Sequence, residues 1–170
     1  MNTDVNNPNQ QKYYIYARKS TDVEDKQIQS IEGQLDELRL LAKREHLEII
    51  EELVEKKSAK IPGRPIFNKM LDSIEKGKAN GILSWHPDRL ARNSVDGGRI
   101  IYLIDTNKIS ALKFNTFWFE PTPQGKFMLS ISFSQSKYYI DSLGENTRRG
   151  LRQKARNGNF PGVAPLGYLN

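Results

Sequence analysis

The sequence contains no cysteine and only two histidines, His46 and His86, among 170 residues. The lack of cysteine excludes a disulfide framework, a thiol nucleophile, a Cys-ligated zinc site and a Cys-bound iron–sulfur cluster. Two histidines far apart in sequence give no support to a His-rich metal centre. No apolar run approaches the roughly 18 residues of a membrane span. The opening MNTDVNNPNQQ lacks the basic-then-apolar order of a secretion signal. These absences read as a soluble, cytoplasmic protein with a disordered lead-in over residues 1–11. A chain of this length can bury most of its unfolded surface as one domain without a covalent staple.

What is present is basic charge, unevenly placed. The chain carries 26 Lys and Arg against 20 Asp and Glu, a net +6. From Lys137 onward there are six basic residues and two acidic ones, a net +4. The preceding 136 residues hold 20 basic and 18 acidic, a net +2. A near-neutral body with a basic tail points to a polyanion, with nucleic acid the leading candidate; a solvated charged helix is the plainer alternative.

The pattern of elements is α/β. Residues 12–18, KYYIYAR, read as a strand. Ile28, Ile31, Leu35, Leu38 and Ala42 recur at helical steps and predict a helix over 27–47. Residues 47–54 read as a second strand, followed by the loop SAKIPGRP. Pro65 opens a helix over 65–76 and Gly77 stops it. Residues 81–85 are a short strand. Asn93 or Ser94 caps a helix running to about Asn107, and 110–119 is a fourth strand. This order predicts a mostly parallel sheet flanked by helices. Residues 124–156 then predict one or two helices, about 50 Å long if continuous, apolar in the first half and basic in the second. The first half is expected to lie on the sheet or on a partner subunit, and the second to project. The boundaries expected are a catalytic domain over 12–122, a long helix over 123–157, and over 158–170 a linker opening a further domain of a longer protein.

Three segments carry chemistry. In Tyr16-Ala17-Arg18-Lys19-Ser20, alternation puts Tyr16, Arg18 and Ser20 on one side of a strand end. A hydroxyl beside a guanidinium at the carboxyl end of a parallel strand suits attack on a phosphate, because the guanidinium grips two oxygens and stabilises the developing charge. Alone, Ser-Thr before a helix is more often a turn or cap. Gln27 and Gln34, nearly two helical turns apart, share a face bordering the apolar stripe. Asp88-Arg89-Leu90-Ala91-Arg92 follows another strand; its two arginines lie on one side of a helical turn, and the Asp can orient one of them. Such pairs on a surface contribute little by themselves. The third segment, Glu55 through Arg64, carries Ser58 and Arg64 and also opens at the sheet's carboxyl end. No one of these segments is specific alone; together they are expected to converge on one edge of the sheet.

Together these motifs (Y-A-R-K-S, Q-I-Q-S-I-E-G-Q, S-A-K-I-P-G-R-P-I-F, D-R-L-A-R-N and T-P-Q-G-K) resemble the catalytic domain of serine recombinases, the resolvase/invertase family, over residues 13–170. R-R-G-L-R-Q-K followed by P-G-V-A-P-L-G-Y resembles the passage of the large, integrase-like members into their next domain. The resemblance implies site-specific DNA recombination with Ser20 as nucleophile. It implies Arg18, Arg89 and Arg92 around the scissile phosphate, Gln27, Gln34, Ser58 and Arg64 in support, and Asp88 and Glu55 orienting arginines. It implies a 5′-phosphoseryl intermediate, no metal or other cofactor, double-stranded DNA as partner, and self-association into dimers and an active tetramer. Arg148, Arg149, Arg152, Lys154 and Arg156 would contact the phosphate backbone. Two departures stand out. Where many small members carry a Glu-Arg pair in the long helix, this chain reads SQSKYYID, and the two glutamines are two residues further apart than in small resolvases. The rival readings are a non-catalytic DNA-binding or dimerisation module and a metal-dependent nuclease. The latter needs clustered strand-end carboxylates where this chain offers Ser and Arg.

Overall fold

The computed structural model describes residues 11–18, 30–117 and 119–162. Four strands form one parallel sheet: β1 (Lys12–Arg18), β2 (Glu48–Glu55), β3 (Gly81–Ser84) and β4 (Ala111–Phe114), in the order β2-β1-β3-β4. The helices are α1 (Ile31–Arg44), α2 (Pro65–Glu75), the single turn α3 (Pro87–Leu90), α4 (Ser94–Asp105) and α5 (Pro123–Arg156).

Period-two alternation in β1 assigns the two layers. Tyr13, Ile15 and Ala17 face α1, where they meet Leu35, Leu38 and Leu41. Tyr14 and Tyr16 face the other layer, built on Phe67, Met70, Leu71 and Ile74 of α2 and Ile100, Leu103 and Ile104 of α4. Tyr13 pairs in register with Gly81. A Cβ there would lie 2.5 Å from the Tyr13 ring, so only glycine lets the aromatic cross the neighbouring strand. The outer strand β2 exposes Glu48, Glu51 and Glu52, charges that discourage edge pairing.

Capping side chains fix where the helices begin. Ser30 accepts from the Gly33 amide, so α1 begins after Ser30. The predicted start at 27 falls on residues outside those described. At its far end, His46 takes a left-handed φ of 51°, which stops the helix short of the predicted 47. Asn93 caps α4 through the Asp96 amide. The fourth strand is shorter than the predicted 110–119, because its partner β3 ends at Ser84; the Asn115 and Thr116 amides then donate to the Ser84 and Trp85 carbonyls past the ladder. Between β3 and α4 the chain inserts α3, opened by Pro87 and capped by His86, which the sequence did not announce as a separate helix.

The long helix α5 is continuous over 34 residues, about 51 Å at 1.5 Å per residue. Only Leu129 and Phe133 are buried along it, the latter against Gly97 of α4. From Gly144 to Gly162 every residue is exposed, so the basic half projects. Among the described residues no helix is long and apolar enough to cross a membrane.

Candidate active site

The strand order reverses between β1 and β3: from β1 the chain crosses to β2 on one side, then returns to β3 and β4 on the other. Ligands bind α/β sheets at the carboxyl ends of strands flanking such a point. Here β1 ends at Arg18, and β3 leads through Trp85 and His86 into α3. The Arg18 carbonyl accepts from Gln34 Nε2 of α1 and from Arg89 Nη1 of α3, both at 3.3 Å. The last residue before segment 19–29 is therefore tied down from both layers. Ser20 and Gln27 belong to that segment and lie outside the described residues.

Asp88 is the hub of the cluster. Its Oδ1 accepts from Arg89 Nε at 3.0 Å, and its Oδ2 accepts from Arg89 Nη2 at 2.6 Å and from Arg92 Nη2 at 2.9 Å. His86 Nδ1 lies 3.0 Å from Oδ1 and 3.2 Å from the Asp88 amide. Burial alone would raise the Asp88 carboxyl. The bonds from His86 and Arg89, with the Arg89 and Arg92 charges, outweigh it and hold the group well below the usual carboxylate range. Asp88 thus stays ionised and fixes two guanidinium planes on one side of the sheet edge. Arg18 is wholly buried, Arg89 is 1% exposed and Arg92 9%. Charges held this far from bulk water act strongly on an anion that reaches them.

Arg64, the N-cap residue of α2, is placed differently. Its Nη1 donates to the Tyr16 hydroxyl at 2.9 Å and to the Arg89 carbonyl at 3.2 Å; its Nη2 donates to the Leu90 carbonyl and, at 2.9 Å, to Asp96 Oδ2. Burial pushes the Tyr16 phenol above its ordinary value, against the opposing Arg64 charge, so it stays protonated.

Glu55 ends β2 opposite Arg18 in the β1–β2 register, and Ser58 follows in the loop. The Glu55 oxygens accept from the Lys57 and Ile66 amides, at 3.2 and 3.1 Å. Through these two amides Glu55 also braces the end of β2 against the start of α2. The Ser58 hydroxyl accepts from the Lys60 amide at 3.3 Å, a turn contact. Arg148, Arg149, Arg152, Lys154 and Arg156 line the exposed end of α5, far along the helix from its buried contacts.

Sequence reasoning passed over His86, Tyr16 as a hydrogen-bond partner, and Asp96. Two of these had a local signal. His86 directly precedes a first-turn proline, and Asp96 stands three residues after the cap Asn93, the reciprocal position of a capping box. Among the described residues no group of three or more His, Cys, Asp or Glu side chains is arranged to hold a metal ion.

The family model described as "Resolvase, N terminal domain" matches residues 13–160. No curated protein sequence matches the chain. Among solved structures, the fold is similar to the N-terminal catalytic domain of TP901-1 integrase, with 24% identity, a TM-score of 0.57, and coverage of 78% of this chain and 98% of that one. It is similar to the C-terminal catalytic domain of ISC1926 TnpA, an IS607-like serine recombinase, at 20% identity and a TM-score of 0.54, covering 83% of this chain and 84% of the other. It is also similar to a resolvase family site-specific recombinase from Streptococcus pneumoniae, at 24% identity and a TM-score of 0.51, covering 86% and 99%.

Proposed function

The chain belongs to the resolvase family of site-specific recombinases, and from that premise we propose that it cuts and rejoins DNA through a covalent serine–phosphate link. Ser20 Oγ attacks the phosphorus of a backbone phosphodiester in line. The bond from phosphorus to the 3′ oxygen breaks, and that oxygen leaves as a hydroxyl after taking up a proton. The enzyme keeps the 5′ phosphate as a serine ester. The reverse attack by a 3′ hydroxyl from another strand restores a phosphodiester and the free serine. The ester preserves the bond energy, so rejoining needs no nucleotide cofactor.

The observation that carries this reading is the gathering of Arg18, Arg89 and Arg92 at the ends of the two central strands. Asp88 fixes two of them before any phosphate arrives, so little reorganisation is needed when charge builds on the phosphoryl oxygens. Guanidinium groups suit this task because they match two phosphate oxygens at once and stay charged at every working pH. Gln34 and Arg89 hold the Arg18 carbonyl and so set where the chain leaves β1 toward Ser20.

The long helix supplies the other half of the proposal. Phe127, Met128, Tyr138 and Tyr139 are exposed apolar side chains along α5, a surface suited to pairing with a second subunit. The basic end, Arg148 to Arg156, lies along double-stranded DNA and contributes phosphate contacts with little base readout. In this division residues 12–122 form the catalytic domain, 123–157 the pairing and DNA-contacting helix, and 158–170 the passage to a following domain.

The test incubates the full-length protein in EDTA with supercoiled DNA bearing its recombination site, then quenches with denaturant. Protein attached to 5′ DNA ends in the wild type, and none in Ser20→Ala with DNA binding retained, is the expected result. Cleavage that appears only with Mg²⁺ and leaves unblocked ends would replace this mechanism with metal-dependent hydrolysis.

A further inference from the structure

Arg64 turns its guanidinium to protein acceptors and an aromatic face: its guanidinium carbon stands 3.9 Å from the centroid of the Phe67 ring. It faces the back of the segment whose arginines face the sheet edge. Its donors hold two consecutive carbonyls of that segment, those of Arg89 and Leu90. A third backbone point is fixed nearby, where the Arg92 amide donates to the Ala59 carbonyl at 3.3 Å.

What keeps Arg64 in this pose is a pair of side chains that no functional reading uses. Asp96 Oδ2 accepts from Arg64 Nη2 at 2.9 Å and from Asn93 Nδ2 at 2.8 Å. The same Asn93 nitrogen donates to the Ala59 carbonyl at 2.9 Å. Asn93 Oδ1 accepts the Asp96 amide at 2.9 Å, closing the cap of α4. Asn93 and Asp96 are 9% and 4% exposed. The knot joins β1 through Tyr16, the loop before α2 through Ala59, and the α3 segment through three backbone groups.

We infer that Asn93 and Asp96 are positioning residues for the proposed strand cleavage. Acting through Arg64 and the Ala59 carbonyl, they set the backbone from which Arg89 and Arg92 reach the phosphate. This rests on the recombinase reading of the site. Asp88 aligns the two guanidinium groups from the front, and the Arg64–Asp96–Asn93 knot fixes their backbone from behind. A buried ion pair is a poor device for stability alone, since apolar residues of similar volume often serve as well. It is a good device for holding one backbone arrangement among several. Catalysis is sensitive to that arrangement, because a displacement of about 1 Å can cost on the order of a hundredfold in rate.

The experiment uses Asn93→Ser in the full-length protein. Serine caps a helix about as well as asparagine, so the start of α4 is kept. A hydroxyl cannot donate to both the Ala59 carbonyl and Asp96, so the knot is cut. A second variant, Arg64→Met with Asp96→Asn, removes both buried charges together. Thermal unfolding, affinity for non-specific duplex DNA, and the single-turnover rate of adduct formation on site-bearing DNA are measured at saturating protein. The inference expects both variants to fold and to bind DNA within about twofold of wild type. Adduct formation should slow about tenfold in Asn93→Ser and about a hundredfold in the double variant. Adduct rates within about twofold of wild type, or losses that only follow the folded fraction, would overturn the positioning role. A wild type that makes no Ser20-dependent adduct would overturn the recombinase reading itself.

Discussion

Replacing Asp88 by Asn tests whether the arginine cluster is held by one buried carboxylate. The side chain is 20% exposed and accepts three bonds from Arg89 and Arg92, with His86 Nδ1 beside Oδ1. An amide keeps one oxygen and puts an NH₂ group in place of the other. In either orientation the NH₂ faces arginine donors: Arg89 Nε on one side, or Nη2 of Arg89 and of Arg92 on the other. At least one charge-assisted bond is lost, at about 1.5–3 kcal/mol each, and the carboxylate charge that faces the buried Arg89 guanidinium is removed. The smaller desolvation cost of a neutral amide offsets part of this, and Arg92 can turn toward solvent. The net expected loss is about 3 kcal/mol at pH 7, or roughly 6–12 °C in Tm for a domain of this size. The sign with pH is fixed by the depressed pKa of the folded carboxyl. Its stabilisation is fully present above the unfolded value of about 3.9 and is lost as pH falls through the folded value. The gap between wild type and Asp88→Asn, followed by urea denaturation from pH 7 to pH 2.5, should therefore stay level to about pH 5. It should then close by up to about 1.4 kcal/mol per pH unit below 3.9. A variant within about 0.5 kcal/mol of wild type at pH 7 would refute the hub, as would a gap that does not narrow in acid.

Two further outcomes follow from the long helix. Phe133→Ala removes one of the two buried side chains of α5, 6% exposed against Gly97, and should cost about 3 kcal/mol. Hydrogen exchange should then show lost protection over residues 123–137 with the sheet unaffected; a uniform loss would mean that α5 is part of the core cooperative unit. Replacing Arg148, Arg149 and Arg152 by Ala should flatten the salt dependence of DNA affinity by about 2 to 3 in the slope of log K against log salt. An unchanged slope would return that stretch to a solvated charged helix.

Much of the frame was legible from local pattern. Alternation in KYYIYAR located β1, and Pro65, Asn93 and Gly77 marked helix boundaries close to those observed. These signals act over one to four residues, through capping bonds and fixed φ angles, so they survive without knowledge of the rest of the chain. The convergence of Arg18, Asp88, Arg89 and Arg92 was also readable, because in a parallel α/β order every strand's carboxyl end opens on one edge of the sheet. The length of β4 was not. The run at 110–119 has the composition of a strand, but the partner strand β3 ends at Ser84, and a strand extends only as far as its ladder.

By itself, then, the sequence determined the four strands, the helices other than α3, their order, and which strand ends carry arginine. The direction each arginine faces was decided by the tertiary structure. Arg64 and Arg89 look alike in sequence, each near a strand end with an apolar neighbour. Tyr16 and Asp96, 48 and 32 positions from Arg64, draw it inward beneath the α3 backbone. Asp88, adjacent to Arg89, holds that side chain at the sheet edge. A buried guanidinium goes where acceptors remain to satisfy it. Which acceptors those are is fixed only once distant segments have packed.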